Sequence, residues 1–259
     1  MIEEKLKRVA LEAAKEGGAV LIQHFGKVRS IDYKGEINLV TEVDRQSEQK
    51  IVSIIKDKYP DHSILAEETG DSGGSSPFKW IVDPLDGTTN YAHSYPCFCV
   101  SLAIEYEGEV IYGAVYDPMR EEIFTAEQGN GAYVNGKIIK VSSTHELNHC
   151  LLCTGFPYDV RDDIESNITN FRNFLMKSQA VRRDGSAALD LCYVAAGRFD
   201  GFWEQKLFPW DVAAGSLLVT EAGGKLSNFK DGKFNIYDTE IVASNGIIHH
   251  QMIETLKLL

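Results

Sequence analysis

The sequence predicts an α+β fold in which layers of helix and sheet stack into a sandwich, and three observations predict it. Apolar residues recur at helical spacing near the N-terminus, the middle of the chain carries apolar stretches joined by tight turns, and helical and extended patterns alternate beyond Leu151. A chain of 259 residues buries a substantial core, as one large domain or two intimate lobes. With no internal repeat and no low-complexity linker, the only boundary is a soft one near 145, giving an N-terminal α+β lobe over 1–145 and a C-terminal α/β lobe over 146–259.

Residues 3–25 set Leu6, Val9, Ala10, Ala13, Ala14, Val20 and Leu21 on one helical face, with Gly17-Gly18 as an interior weakness. The polar stretch Gly26 to Asn38, carrying Lys34-Gly35-Glu36, reads as a mobile loop before the short apolar Leu39-Val40. Thr41-Glu42-Val43-Asp44 then opens a second helix whose inward face is Ile51, Ile54 and Ile55. Ser63-Ile64-Leu65-Ala66 is a short strand ending in Glu67-Glu68, and the Gly/Ser tract 70–76 is an exposed loop. Trp80-Ile81-Val82 leads a strand that ends at Asp83, where Pro84 breaks it and Gly87-Thr88 starts a helix. Residues 98–106 and 109–116 form a hairpin around Glu107-Gly108, and Asn135-Gly136 makes another hairpin turn. Farther on come a helix near 161–177, a strand near 180–183 and a helix from Ser186 to Gly197. A strand at 200–204, a helix over 210–222 stopped by Gly223-Gly224, a strand near 240–243 and a C-terminal helix complete the chain.

The charge balance of 26 Lys and Arg against 38 Asp and Glu, a net −12, disfavours broad binding to a nucleic-acid backbone. It also means that any phosphate held here needs a cation beside it. No stretch reaches the roughly 18 apolar residues of a membrane span, and Met1 to Arg8 lacks the apolar segment of a signal peptide, so the cytoplasm is the expected location. Five cysteines, an odd number, do not form a disulfide framework, and Cys97, Cys99, Cys150, Cys153 and Cys192 read as buried thiols.

The most informative segment is Asp83-Pro84-Leu85-Asp86-Gly87-Thr88-Thr89-Asn90. Two carboxylates three positions apart, a carbonyl at Leu85 and the backbone N–H groups of a helix start converge there, offering acceptors for a cation beside donors for an anion. Taken alone, the segment fits a metal site and an ordinary turn capped by Asp86 about equally well. Other acidic residues at similar punctuation tilt the balance: Glu67 ends a strand, Asp44 opens a helix and Asp211 follows Trp210 at another helix start. All of these donors are oxygens and no histidine adjoins them, which selects magnesium over zinc or copper. His93 is structural or lines the rim.

With these residues assembled, the chain resembles the inositol monophosphatase family of magnesium-dependent, lithium-sensitive phosphatases over nearly its full length, most closely its bacterial members. Asp83 to Asn90 is similar to the family's first signature, and Trp210-Asp211-Val212-Ala213-Ala214-Gly215 with Glu221-Ala222-Gly223-Gly224 to its second. Glu67-Glu68, Leu39 to Asp44 and Gly185-Ser186-Ala187-Ala188 follow in the expected order. The resemblance implies a layered αβαβα sandwich of the sugar-phosphatase type. It implies two to three magnesium ions per subunit, the first on Glu67, Asp83 and the Leu85 carbonyl, the second on Asp83, Asp86 and Asp211, and a weaker third at Glu67 through water. The attacking water would then be helped by Thr88 and by the Glu67 or Asp44 side, while the second ion steadies the leaving alkoxide.

For the substrate, the resemblance points to Glu67, Leu85, Asp86, Gly87, Thr88, Gly185, Ser186, Ala187, Glu204 and Asp211, with Arg182 rather than Arg183 facing the pocket. Lys34 is a solvated loop lysine that can also steer phosphate. The activity implied is hydrolysis of a phosphorylated polyol or sugar, foremost inositol 1-phosphate. Fructose 1,6-bisphosphate, histidinol phosphate or a 3′-phosphoadenosine nucleotide are the rival substrates. A regulatory role with RNA polymerase or the RNA-processing machinery, as in some bacterial relatives, is the rival from another class. Relatives are homodimers, and an apolar surface around 95–105 is the expected contributor; no membrane and no direct nucleic-acid contact is expected.

Overall fold

The computed structural model describes residues 2–27, 31–33, 39–157 and 165–258. Helices α1 (Glu4–His24) and α2 (Glu42–Lys58) flank a small antiparallel pair, β1 (Ile31–Tyr33) with β2 (Leu39–Thr41). There follow β3 (Ser63–Ala66), β4 (Gly70–Asp71), β5 (Phe78–Asp86), the short α3 (Thr88–Ala92), β6 (Cys99–Tyr106), β7 (Glu109–Asp117), β8 (Glu122–Glu127), β9 (Gly131–Val134) and β10 (Lys137–Ile138). The remainder comprises β11 (Leu151–Thr154), α4 (Glu165–Leu175), β12 (Ala180–Arg182), α5 (Ala187–Ala195), β13 (Gly201–Gln205), α6 (Pro209–Glu221), β14 (Lys225–Ser227), β15 (Glu240–Ser244) and α7 (His249–Leu256).

Strands β3 to β10 form an eight-stranded sheet in the order β10-β9-β8-β7-β6-β5-β3-β4, antiparallel except where β3 runs parallel to β5. A five-stranded sheet, β12-β11-β13-β15-β14, mixes parallel and antiparallel pairs. α1 and α2 cover one face of the large sheet through Leu6, Val9, Leu21, Ile51 and Ile55. α5 and α6 fill the space between the two sheets, and α4 with α7 closes the outer face of the smaller one. The result is five layers, α/β/α/β/α. The sequence of α5, Ala187-Ala188-Leu189-Asp190-Leu191-Cys192-Tyr193-Val194-Ala195, explains the middle layer: every residue is buried, as a helix with sheets on both sides requires.

Several expectations change. Gly17-Gly18 is a packing device rather than a weakness: a Cβ on Gly17 would lie 2.7 Å from Ile51 Cδ1 of α2, and one on Gly18 2.6 Å from the Tyr116 ring of β7. The two glycines let α1 approach a helix and a sheet at once. The polar stretch 26–38 is not all loop, since Ile31–Tyr33 pairs with Leu39–Thr41; Lys34 lies outside the described residues. Gly70–Asp71 leaves the expected loop to pair with β3, and two strands that the sequence pattern does not mark appear, β8 between β7 and β9 and β14 at the edge of the smaller sheet. β5 does not stop at Asp83 but resumes pairing at Asp86 after a register shift, so Pro84 sits in an irregularity where the ladder needs no N–H from it. Finally, the stretch around 95–105 is not a surface: Cys97 to Glu105 is buried, because β6 is a central strand covered on both faces, and only its approach at Tyr95 and Pro96 is exposed.

Candidate active site at the layer junction

The loop ends that meet between the eight-stranded sheet and α5 and α6 are built around α2. Ser47 Oγ donates to the Pro84 carbonyl at 3.0 Å, and Glu48 Oε2 accepts from the Glu68 N–H at 2.8 Å, so one buried helical turn anchors both the end of β3 and the bend of β5. Glu67 N–H donates to the Val82 carbonyl at 3.2 Å, which sets Glu67 beside Asp83. Gly87 then turns the chain into α3 at φ 96°, and Thr88 Oγ1 donates back to the Leu85 carbonyl at 3.0 Å. From the other side, Asp211 enters in the first turn of α6, held by the Phe208 N–H donating to its Oδ2 at 2.7 Å.

Asp83, Asp86 and Asp211 each bring a carboxylate oxygen within 4.8 Å of the other two, and Asp44, Glu67 and Glu68 form a second such trio. Asp86 is not the cap of its own turn. Its Oδ2 accepts from Ser186 Oγ at 2.6 Å and from the Ala188 N–H at 2.8 Å, so it sits at the start of α5, about 100 residues away. Asn90 reinforces that junction by donating from Nδ2 to the carbonyls of Cys97 at 2.8 Å and Asp184 at 2.7 Å.

Burial holds the Asp83 carboxyl well above the ordinary carboxylate range, and the charges of Glu67, Asp86, Asp211 and Asp44 push it farther. Asp211 is raised by burial and by Asp86, against the pull of the Phe208 N–H. Asp86 is raised by burial too, opposed by its bonds from Ser186 and Ala188. Three such groups cannot share ionised charge at this spacing without a cation. An all-oxygen, multiply negative donor set of this kind fits a hard divalent ion.

One cleft of about 420 Å³ gathers Glu67, Asp83, Leu85, Asp86, Gly87, Thr88, Gly185, Ser186, Ala187, Glu204 and Asp211. Asp44 stands behind Glu67 rather than on the cleft wall. The arginine differs from expectation: both Arg182 and Arg183 are exposed, but Arg183 lines the cleft, while Arg182 donates to the Val181 carbonyl and lies beside Asp184. One of the two arginines does line the cleft, but not the one the resemblance pointed to: β12 ends at Arg182, and Arg183 belongs to the turn that follows. A site residue absent from the expected set is Asp190, 1% exposed on α5, on the cleft wall and carrying an Oδ1 without a hydrogen-bond partner among the described residues. Its signal was present: a single carboxylate within an otherwise apolar helix. Burial holds Asp190 well above the usual range, with Asp184 and Glu204 adding to it.

Glu204, buried on β13, is pushed up to about 8 by burial and by Asp86, against the pull of Arg183. Its unfolded counterpart ionises near pH 4.3, so the metal-free folded state gains most below that pH and loses stability as pH rises to about 8, by at most about 1.4 kcal/mol per unit. Glu204→Gln is expected to flatten this slope in a melting-temperature series from pH 4 to 9 in chelator; an unchanged slope would refute the assignment.

The profile described as "Inositol monophosphatase family" matches residues 2–258. An inositol-1-monophosphatase from Synechocystis sp. is 46% identical over 250 residues, covering 96% of this chain and 87% of the relative. A Nus factor SuhB from Pseudomonas aeruginosa is 41% identical over 261 residues, covering 98% and 96%. The solved inositol monophosphatase from Anabaena (Nostoc) sp. superposes with a TM-score of 0.89 at 43% identity, covering 98% of this chain and 95% of that one. With both signatures, the layered fold and the acidic cleft in agreement, the chain belongs to the inositol monophosphatase family and is a phosphatase.

Proposed function

We propose that the protein hydrolyses inositol 1-phosphate to inositol and phosphate with magnesium as cofactor. The observation that carries this reading is the gathering of Asp83, Asp86 and Asp211 within 4.8 Å in a cleft that also holds Glu67, Thr88 and Glu204. Glu67, Asp83 and the Leu85 carbonyl would hold one ion, Asp83, Asp86 and Asp211 a second, and Glu67 a weaker third through water. When bound, the ions supply an activated water and neutralise charge on the departing oxygen.

The chain's own groups do the rest. Thr88 Oγ1 spends its proton on the Leu85 carbonyl, which leaves its lone pairs to orient the attacking water, and Glu67 with Asp44 behind it takes up the proton. Backbone N–H groups at the Gly87-Thr88 turn face the phosphate. Ser186 and Ala188, bonded to Asp86, fix the polyol side of the cleft to the phosphate side. Glu204 meets ring hydroxyls at the far end, and Arg183 rather than Arg182 supplies the positive wall.

Turnover of inositol 1-phosphate, fructose 1,6-bisphosphate, histidinol phosphate and a 3′-phosphoadenosine nucleotide at equal magnesium tests the substrate. Inositol 1-phosphate should rank first, with inhibition by lithium; a rank far below the nucleotide would overturn it. The expected setting is a cytoplasmic homodimer, which light scattering checks. A relative's name as a Nus factor supports a second role as a protein partner of the transcription machinery. Pull-down with an Asp86→Asn variant, with and without magnesium, separates that role from catalysis.

A further inference from the structure

Among the described residues, Asp190 is the one carboxylate on the cleft wall that neither the proposed metal ligands nor Glu204 accounts for. It stands three residues after Ala187 on α5, the spacing that puts two side chains on one helical face, and so lies one turn deeper than the helix start at Ser186. No other residue of α5 is charged, and the helix is packed between two sheets. Within that layer the Oδ1 of Asp190 is buried and accepts no hydrogen bond among the described residues. Buried oxygens of folded proteins are nearly always paired, so one left open on the wall of a cleft marks a place where the partner comes from outside the chain. The charges of Asp184 and Glu204 make the position still less favourable for a carboxylate with a purely structural role.

The facing carboxylate is braced. Gly155, which follows β11, lies against Glu204 so closely that a Cβ there would overlap its carboxylate. Asn167 of α4 fixes Gly155 by donating to its carbonyl, and is itself fixed by accepting from Trp203 Nε1 at 2.8 Å. Glu204 therefore projects from a supported strand and Asp190 from a helix held on both sides, and their spacing is set before a substrate arrives. Arg183 is the cation whose charge reaches both, and it is exposed.

We propose that Asp190 is a specificity-determining residue whose carboxyl accepts a hydrogen bond from a substrate hydroxyl, so that the cleft selects polyol esters carrying one hydroxyl toward α5 and another toward β13. Glu204 receives the second. A carboxyl oxygen accepts such a bond whether or not the group holds a proton, so the recognition does not depend on charge state. An ester without the hydroxyl on the α5 side leaves Asp190 unpaired in the complex, and a site built to bond a hydroxyl rejects an analogue lacking it far more strongly than an apolar pocket does. The inference rests on the proposed reading of the cleft as a site of polyol phosphate hydrolysis.

The test compares inositol 1-phosphate with cyclohexyl phosphate, which share the phosphate and the six-carbon ring and differ in the hydroxyls. With magnesium, the ratio of their kcat/KM values is expected to fall by about 10- to 100-fold in Asp190→Ala, the order of one hydrogen bond to a charged group. Asp190→Asn keeps an acceptor oxygen and should restore most of the ratio. Melting temperature in chelator guards against a folding defect: neither variant should melt below the wild type, since each removes an unpaired buried carboxyl. Calorimetric titration with free inositol, in magnesium and inorganic phosphate, gives a readout independent of turnover, and Kd should rise by about 10- to 100-fold in Asp190→Ala. A loss equal for the two esters, as expected if Asp190 only held Arg183 or the helix, overturns the assignment, and so does an unchanged ratio. If the wild type hydrolyses neither ester, the reading of the cleft falls and the titration still decides Asp190: inositol bound equally by wild type and Asp190→Ala, or by neither, overturns its role.

Discussion

Asp83→Asn is expected to lower turnover by about 10³-fold or more and, at the same time, to make the metal-free protein more stable at neutral pH. Asp83 is the carboxylate assigned to both principal ions, so its loss should exceed the 10²–10³ that removal of one preorganised donor costs. The stability effect follows from the direction of its titration. Burial and four neighbouring carboxylates raise the folded-state value well above that of the unfolded chain, near 3.9. The folded state therefore holds the proton more tightly; below about pH 4 there is no penalty, and stability is lost as pH rises through the raised value. Asparagine removes that penalty and keeps an oxygen for the Leu85 N–H, which donates to Asp83 Oδ1 at 2.9 Å. Melting temperature in chelator should rise by about 2–4 °C per kcal/mol relieved, and the gain on adding magnesium should shrink. Unchanged kinetics with unchanged magnesium dependence would reject the ligand assignment.

Gly87→Ala should damage both the fold and the chemistry. Gly87 adopts φ 96°, and a Cβ there would lie 2.8 Å from the Cys97 carbonyl oxygen and 3.2 Å from Phe98 Cα. Backbone cannot swing aside as a side chain does, so left-handed strain and overlap together are expected to cost about 2–4 kcal/mol. Because Gly87 separates Asp86 from Thr88, relief of the overlap displaces one or the other, and a displacement of about 1 Å is worth about 10²-fold in kcat. Gly87→Asn separates the two causes: asparagine tolerates the left-handed region but carries the same Cβ. If it restores stability, the strain dominates; if it matches alanine, the overlap does.

The way each expectation fared follows from the range of the physics behind it. Ser63–Ala66, the Glu107-Gly108 hairpin and the α6 stop at Gly223 were legible because short-range periodicity and turn chemistry fix them. The acidic positions were legible because each lies at an element end, where a carboxylate already has a local signature. Arg183 was not, since a one-residue difference in where β12 ends decides which arginine faces the cleft. Asp190 was passed over because its single carboxylate sits in an apolar helix, and only the sheets on both sides make it buried. The burial of the stretch at 95–105 is not legible locally, because an apolar strand has the same sequence whether it lies at an edge or in the centre.

By itself the sequence determined the α+β class, the position of most elements and the placing of acidic residues at element ends, because these depend on contacts among residues near in the chain. Only the tertiary structure decided which donors share a cleft, that Asp86 answers to the start of α5, that Pro84 bends β5 without ending it, and that Phe208 remains exposed beside Trp210. Those outcomes depend on which faces the five layers bury. Burial is set by neighbours about 100 positions away, to which local pattern is blind.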